Sequence, residues 1–199
     1  MKLMVAIPTL DMIHFEFARC LTGLVQRLER DGVDYDVCFK GGTLVYNGRE
    51  ALAAEAINSG YTHILWLDAD MVFNPDVFEK LYKHNELFVT GVYCSRHAPY
   101  KSCIFASLNP DERVTEYPGD LFQIAGCGFG IVLTETKLLY DVYQKHGTMF
   151  LPNSQYGEDL ALCDRATQCG HKLYCDPTVR AGHIGMVTVW PKEGGGDND

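Results

Sequence analysis

The sequence predicts an α/β domain built on a mostly parallel central sheet flanked by helices. Three observations carry that expectation. Short apolar runs closed by proline, glycine or aspartate alternate with segments whose apolar residues recur at helical spacing, and the alternation persists through the first half of the chain. The run Ile64 to Leu67 has the character of a buried strand, and it ends in the carboxylates Asp68 and Asp70. A chain of 199 residues, 47% of them hydrophobic, is long enough for one sizeable core, and no stretch resembles an inter-domain linker.

Taken in order, Lys2 to Ile7 is an apolar run closed by Pro8, hence a strand, and Ile13 to Arg30 carries Phe17, Leu21, Leu24, Val25 and Leu28 at helical spacing. Asp34 to Phe39 reads as a second strand before Gly41 and Gly42. Asn47 is expected to cap a helix from about Gly48 to Ser59, with Leu52, Ala53, Ala56 and Ile57 on one face and Gly60 as its stop. The third strand is the one ending at Asp68. Asn74 and Pro75 supply a cap and a first-turn proline for a helix to about His84, and Leu87 to Tyr93 returns as a strand. Short strands follow near Ser102 to Ala106, Leu121 to Ile124 and Phe129 to Leu133. Two helices, Glu135 to His146 and Glu158 to Cys169, end at Gly147 and Gly170, and Lys172 to Cys175 is strand-like. One domain over residues 1–190 and a disordered tail over 191–199 (ending GGGDND) complete the expectation, with no internal repeat.

Composition excludes some partners. A net charge of −9 at pH 7, with no basic run to offset it, repels nucleic-acid backbones and anionic membrane surfaces. A small anionic substrate stays open, because one divalent cation inverts the local field of an acidic site. No apolar run approaches a membrane span, and the apolar part of the start MKLMVAIPTLD is short for a secretory signal, so a cytoplasmic location is expected. The eight cysteines are scattered without a CxxC pair, which favours reduced, partly buried thiols over disulfides or zinc.

The two aspartates need a reason of their own. In an open α/β sheet ligands collect at the carboxyl ends of strands, where Asp68 and Asp70 fall. In extended chain residues i and i+2 point the same way, so both carboxylates can converge on one ligand, and a divalent cation relieves their repulsion. The competing reading is that they merely begin a turn before the next helix. Glu158 and Asp159 fall in the first turn of a helix, where the dipole favours acids with or without function, although a positioned carboxylate also serves as general base. His183, among glycines late in the chain, is either an ordinary hydrogen-bonding residue or the imidazole of a mixed O/N set suited to manganese.

Six elements in order, IPT (7–9), NGR (47–49), LDAD (67–70), GCGFG (126–130), GED (157–159) and GHIG (182–185), give the chain a resemblance to small GT-A-fold glycosyltransferases of the inverting family 2-like group. The resemblance covers roughly Met1 to Gly185 and implies a single Rossmann-like domain. It implies that Asp68 lies near the ribose or donor sugar, that Ala69 shares that pocket, and that Asp70 binds a Mn2+ (or Mg2+) ion bridging the donor diphosphate. His183, with Asp68, is the implied further metal ligand. Pro8, Thr9, Asn47 and Arg49 match segments lining the nucleotide pocket; for Arg49 a solvated helix charge is the other reading. Gly126, Cys127 and Gly128 match the loop under the donor sugar, whose bland alternative is an ordinary turn. Asp159 matches the catalytic base, and Glu158 a residue orienting sugar or acceptor. The implied partners are a nucleotide sugar, UDP-linked by default, and a glycan or other hydroxyl acceptor.

The sequence departs from that pattern where the second strand ends VCFKGG instead of in an acidic turn, which leaves the nucleotide open. Ser95 to Gly119, where acceptor or sugar selection is expected, matches no pattern. After His183, MVTVWP is either a flap carrying Trp190 or an apolar strand. Three rivals to the inverting transferase stand. A retaining enzyme shares the metal and nucleotide apparatus. A haloacid-dehalogenase-like phosphatase would use Asp68 as nucleophile, but would want LDADMV on the first strand. A non-catalytic sugar-binding module would lack the base or the metal site.

Overall fold

The computed structural model describes residues 1–108 and 112–185, with the main chain of 188–189. The expectations about Trp190 and the tail 191–199 lie outside the described residues. Among the described residues twelve strands and five helices follow in chain order: β1 Lys2–Pro8, α1 Phe15–Arg30, β2 Asp34–Lys40, α2 Val45–Asn58, β3 His63–Leu67, β4 Met71–Val72, α3 Val77–Tyr82, β5 Phe88–Val92, β6 Ile104–Phe105, β7 Phe122–Ile124, β8 Gly126–Cys127, β9 Ile131–Glu135, α4 Thr136–His146, α5 Glu158–Gln168, β10 Leu173–Arg180, β11 Gly182–Ile184 and β12 Thr188–Val189.

Among the described residues the main sheet has seven strands in the order β2-β1-β3-β9-β5-β10-β7. β2, β1, β3, β5 and β10 run in one direction, while β9 and β7 run against them. The expected mostly parallel α/β sheet is therefore present, with β9 inserted antiparallel between β3 and β5. The continuous apolar runs are explained by burial on both faces. Leu3, Val5, Leu65 and Leu67 pack with the buried stripe Phe17, Cys20, Leu24 and Leu28 of α1, and with Val77, Phe78 and Leu81 of α3. Met4, Ala6, Ile64 and Trp66 face the other way, onto α2, α4 and α5. Trp66 anchors that second layer: its ring meets Phe129 and Phe150 edge-on, and its indole N–H donates to Thr134 Oγ1 at 3.0 Å.

Two expected helix starts are corrected. Asn47 is not a cap. α2 begins at Val45 after an extended Leu44, and Asn47 lies exposed in its first turn. The α2 start is set by docking of the next residues, Gly48 and Arg49, which are buried, and that packing overrides the local capping preference. Likewise Asn74 and Pro75 form a turn, and α3 begins at Val77 after Asp76, two residues later than a capping role for Asn74 would require. The glycine stops hold: Gly60, Gly147 and Gly170 all take positive φ. Five of the eight cysteines are buried: Cys20, Cys94, Cys127, Cys163 and Cys175. Among the described residues no helix is long and apolar enough to cross a membrane.

Candidate active site

Asp68 and Asp70 leave the end of β3 in a turn, not in extended chain: Met71 N–H donates to Asp68 O at 3.1 Å, closing it. The expected same-side convergence of residues i and i+2 is thereby corrected, because it holds only for extended backbone. The two side chains take different partners. Asp68 turns to Arg49, and Asp70 turns to His183 and Arg96.

The Asp70–His183 contact is produced by a small second sheet. β4 follows the turn and pairs antiparallel with β11, which sets His183 opposite Met71, and Ile184 N–H donates to Asp70 O at 2.8 Å. Nε2 of His183 then lies 3.3 Å from Asp70 Oδ2. The other ring nitrogen, Nδ1, is 3.0 Å from the Cys94 carbonyl, which only accepts, so Nδ1 carries a hydrogen. Burial works against the charge on His183, but the hydrogen bond and charge of Asp70 raise its pKa above the ordinary imidazole range. Burial also opposes the charge on Asp70, yet His183 and Arg96 hold its carboxyl below the usual range.

Arg49 is the hub of the second cluster. It is 2% exposed, and its guanidinium reaches three carboxylates: Nη2 donates to Asp68 Oδ1 at 2.7 Å, and Nη1 donates to Glu158 Oε1 at 2.7 Å and to Asp159 Oδ1. Its face sits 5.4 Å from the centroid of Phe129. Burial disfavours the charge on Arg49, but Asp159, Asp68 and Glu158 outweigh it and raise its pKa. Its alternative as a solvated helix charge is excluded by that burial. Asp159 responds differently: burial dominates over Arg49, and with repulsion from Glu158 and Asp68 its pKa is pushed up to about 7. Asp68 is raised for the same first reason, burial, against the pull of Arg49.

Both clusters open into one cavity of about 660 Å3 at the carboxyl edge of β1 and β3. Pro8, Thr9, Arg49, Asp68, Ala69, Asp70, Cys127, Gly128, Glu158, Asp159 and His183 all line it. Two expected residues do not: Asn47 points away as an exposed helix residue, and Gly126 is buried under Leu160, whose Cδ2 lies 2.8 Å from where a Cβ would stand. Gly128 does meet the cavity, and a Cβ there would fall 2.2 Å from the Tyr93 hydroxyl. That hydroxyl accepts from Gly130 N–H at 3.0 Å, so the glycines at 128 and 130 let Tyr93 brace the loop.

Sequence reasoning missed Arg96, Lys40 and Arg113, which also line the cavity. Arg96 Nη1 lies 2.5 Å from Asp70 Oδ2, and Arg113 stacks 4.7 Å from the Phe105 centroid while donating to the Ser102 carbonyl. In the sequence Arg96, Lys40 and Arg113 carry no signal beyond their charge in an acidic chain. As for a metal, among the described residues no three His, Cys, Asp or Glu side chains are grouped as a ready-made set. The pair Asp70 Oδ2 and His183 Nε2 does fit two adjacent positions on an octahedral cation, whose neighbouring ligands stand about 3 Å apart. The hydrogen on Nδ1 leaves the Nε2 lone pair free for that role.

No family model matches the chain, and no curated protein matches it in sequence. Solved structures do resemble it. The protein A197 from STIV superposes with a TM-score of 0.65 at 17% identity, over 93% of this chain and 86% of that one. GalNAc-T7, solved with UDP, GalNAc and Mn2+, gives 0.59 at 13% identity over 92% of this chain, which spans only 44% of that protein. A Drosophila β1,4-galactosyltransferase 7 variant, solved with manganese, UDP-Gal and xylobiose, gives 0.50 at 16% identity over 89% of this chain and 66% of that one. The fold is thus that of GT-A glycosyltransferase domains.

Proposed function

We propose that the protein is a metal-dependent glycosyltransferase that moves a sugar from a nucleoside diphosphate, UDP by preference, to an acceptor hydroxyl with inversion. The observation that carries this reading is the pairing, across one cavity, of an Asp70–His183 donor pair with the partly exposed carboxyl of Asp159, held by Arg49 and pushed up to a pKa of about 7. Each half suits one end of the reaction. The two similar enzymes with UDP and manganese in their structures support the donor class.

Asp70 and His183 would hold the divalent cation, which stabilises charge developing on the departing diphosphate. Pro8, Thr9 and Ala69 line the end of the cavity next to β1 and suit the nucleoside. Gly128 offers backbone to the sugar, since nothing projects from it. Asp159, in its ionised form, takes the proton of the acceptor hydroxyl as its oxygen bonds to the anomeric carbon. The bond from that carbon to the diphosphate breaks in the same displacement. Arg49 keeps Asp159 and Glu158 fixed against Asp68, so base and donor-side carboxylate are held by one guanidinium. A phosphatase using Asp68 as nucleophile fits less well, because Asp68 Oδ1 is occupied by Arg49.

Product analysis tests the reading. A UDP-sugar incubated with the protein and manganese should give UDP plus transferred or free sugar. Release of inorganic phosphate with no UDP would favour the phosphatase instead.

A further inference from the structure

Asp70 carries two partners on the same oxygen: Arg96 Nη1 at 2.5 Å and His183 Nε2 at 3.3 Å. Because Nδ1 gives its hydrogen to the Cys94 carbonyl, Nε2 is the nitrogen that faces the shared oxygen. Arg96 holds the same oxygen that a cation shared by Asp70 and His183 would have to bind, and two positive charges on one carboxylate oxygen repel. Arg96 is free to leave. Its side chain is 48% exposed, on the loop after β5, and no other ion pair of its guanidinium exists among the described residues. The same short segment, 94 to 96, supplies both the carbonyl that orients His183 and the guanidinium that neutralises Asp70.

We propose that Arg96 is a resident counter-ion of the metal site, displaced when a divalent cation binds and then released into the cavity to meet the donor's phosphates. The inference rests on the glycosyltransferase reading for the identity of the anion, but its first half concerns only the bare cation. The consequence is a coupling between metal and nucleotide. Without an anion to receive Arg96, metal must compete with an internal cation and binds weakly. With a nucleoside diphosphate present, the displaced guanidinium gains a partner, and each ligand strengthens the other.

Calorimetric titration with Mn2+ alone, then with UDP present, distinguishes the possibilities using wild type, Arg96→Gln and Arg96→Lys. Arg96→Gln is expected to bind Mn2+ alone roughly tenfold tighter than wild type and to lose most of the enhancement by UDP, a coupling of ordinary size. Arg96→Lys, which keeps the charge, should stay near wild type in both titrations. Equal Mn2+ affinity in wild type and Arg96→Gln overturns the counter-ion role while leaving the metal site standing. Tighter Mn2+ binding in Arg96→Lys as well would assign the effect to side-chain packing and overturn the role too. Absence of Mn2+ binding in all three overturns the metal site itself, and the inference with it.

Discussion

Asp70 Oδ2 and His183 Nε2 stand 3.3 Å apart although 113 residues separate them, because β4 and β11 pair immediately beside the turn that ends β3. If that pair is the metal site, Asp70→Ala leaves one of its two donors. The expected result is loss of metal-dependent nucleotide-sugar binding, read by calorimetry with manganese. Affinity equal to wild type would remove Asp70 from the site.

Asp159→Asn is nearly isosteric and removes the carboxylate proposed as the base. Donor binding should persist while transfer falls by about 10²-fold or more, the usual scale for a general base. Full transfer by this variant would exclude Asp159 from proton removal.

The pH dependence carries a sign for each readout. If Asp159 is the base, it must be ionised to act, and with its pKa pushed up to about 7, kcat/KM should fall as pH drops below about 7. Stability moves oppositely. With a folded pKa raised from 3.8, the folded state binds more protons than the unfolded one; Asp159 contributes stability that is present in acid and lost as pH rises through about 7. The Tm advantage of Asp159→Asn over wild type should therefore be larger at pH 8 than at pH 4.

Arg49 is buried with three carboxylates on its guanidinium. Arg49→Leu leaves them facing one another, and removing one member of a buried ionic cluster costs about 3–5 kcal/mol. Urea unfolding at pH 7.5 should show a loss near the lower end, since the carboxylates are 21–29% exposed. A change under about 1 kcal/mol would mean that water already carries their charge.

Gly128→Ala would put a methyl group 2.2 Å from the Tyr93 hydroxyl. Overpacking of that kind costs about 1–3 kcal/mol, so thermal unfolding should shift down. Gly128→Ala with Tyr93→Phe should recover part of the loss, because the clashing oxygen is gone.

The sheet was legible in the sequence wherever burial was local. Leu3 to Ile7 and Ile64 to Leu67 declare strands by continuous apolarity, and Phe17, Leu24 and Leu28 declare a helix by spacing. The cap at Asn47 was misread because tertiary docking of Arg49 set the helix start. Asp70, Asp159 and His183 stood out by type and position, but their partners did not. The β4–β11 pairing joins two short strands far apart in sequence, which no local pattern records. Arg49 stands open in the sequence between the nucleotide pocket and a solvated helix charge, and the convergence of Asp68, Glu158 and Asp159 on it excludes the second. Arg96 gave no signal beyond its charge, since its role depends on a loop folding back over Asp70.

The central claim, a metal-assisted nucleotide-sugar site between Asp70 and Asp159, is tested most directly by thermal shift with a panel of nucleoside diphosphates and their sugars, each with manganese, magnesium or chelator. The account predicts a rise in Tm for one nucleotide series that appears with manganese and disappears with chelator, because a ligand bound only by the folded state stabilises it. A panel that stays flat with every nucleotide and metal would contradict it.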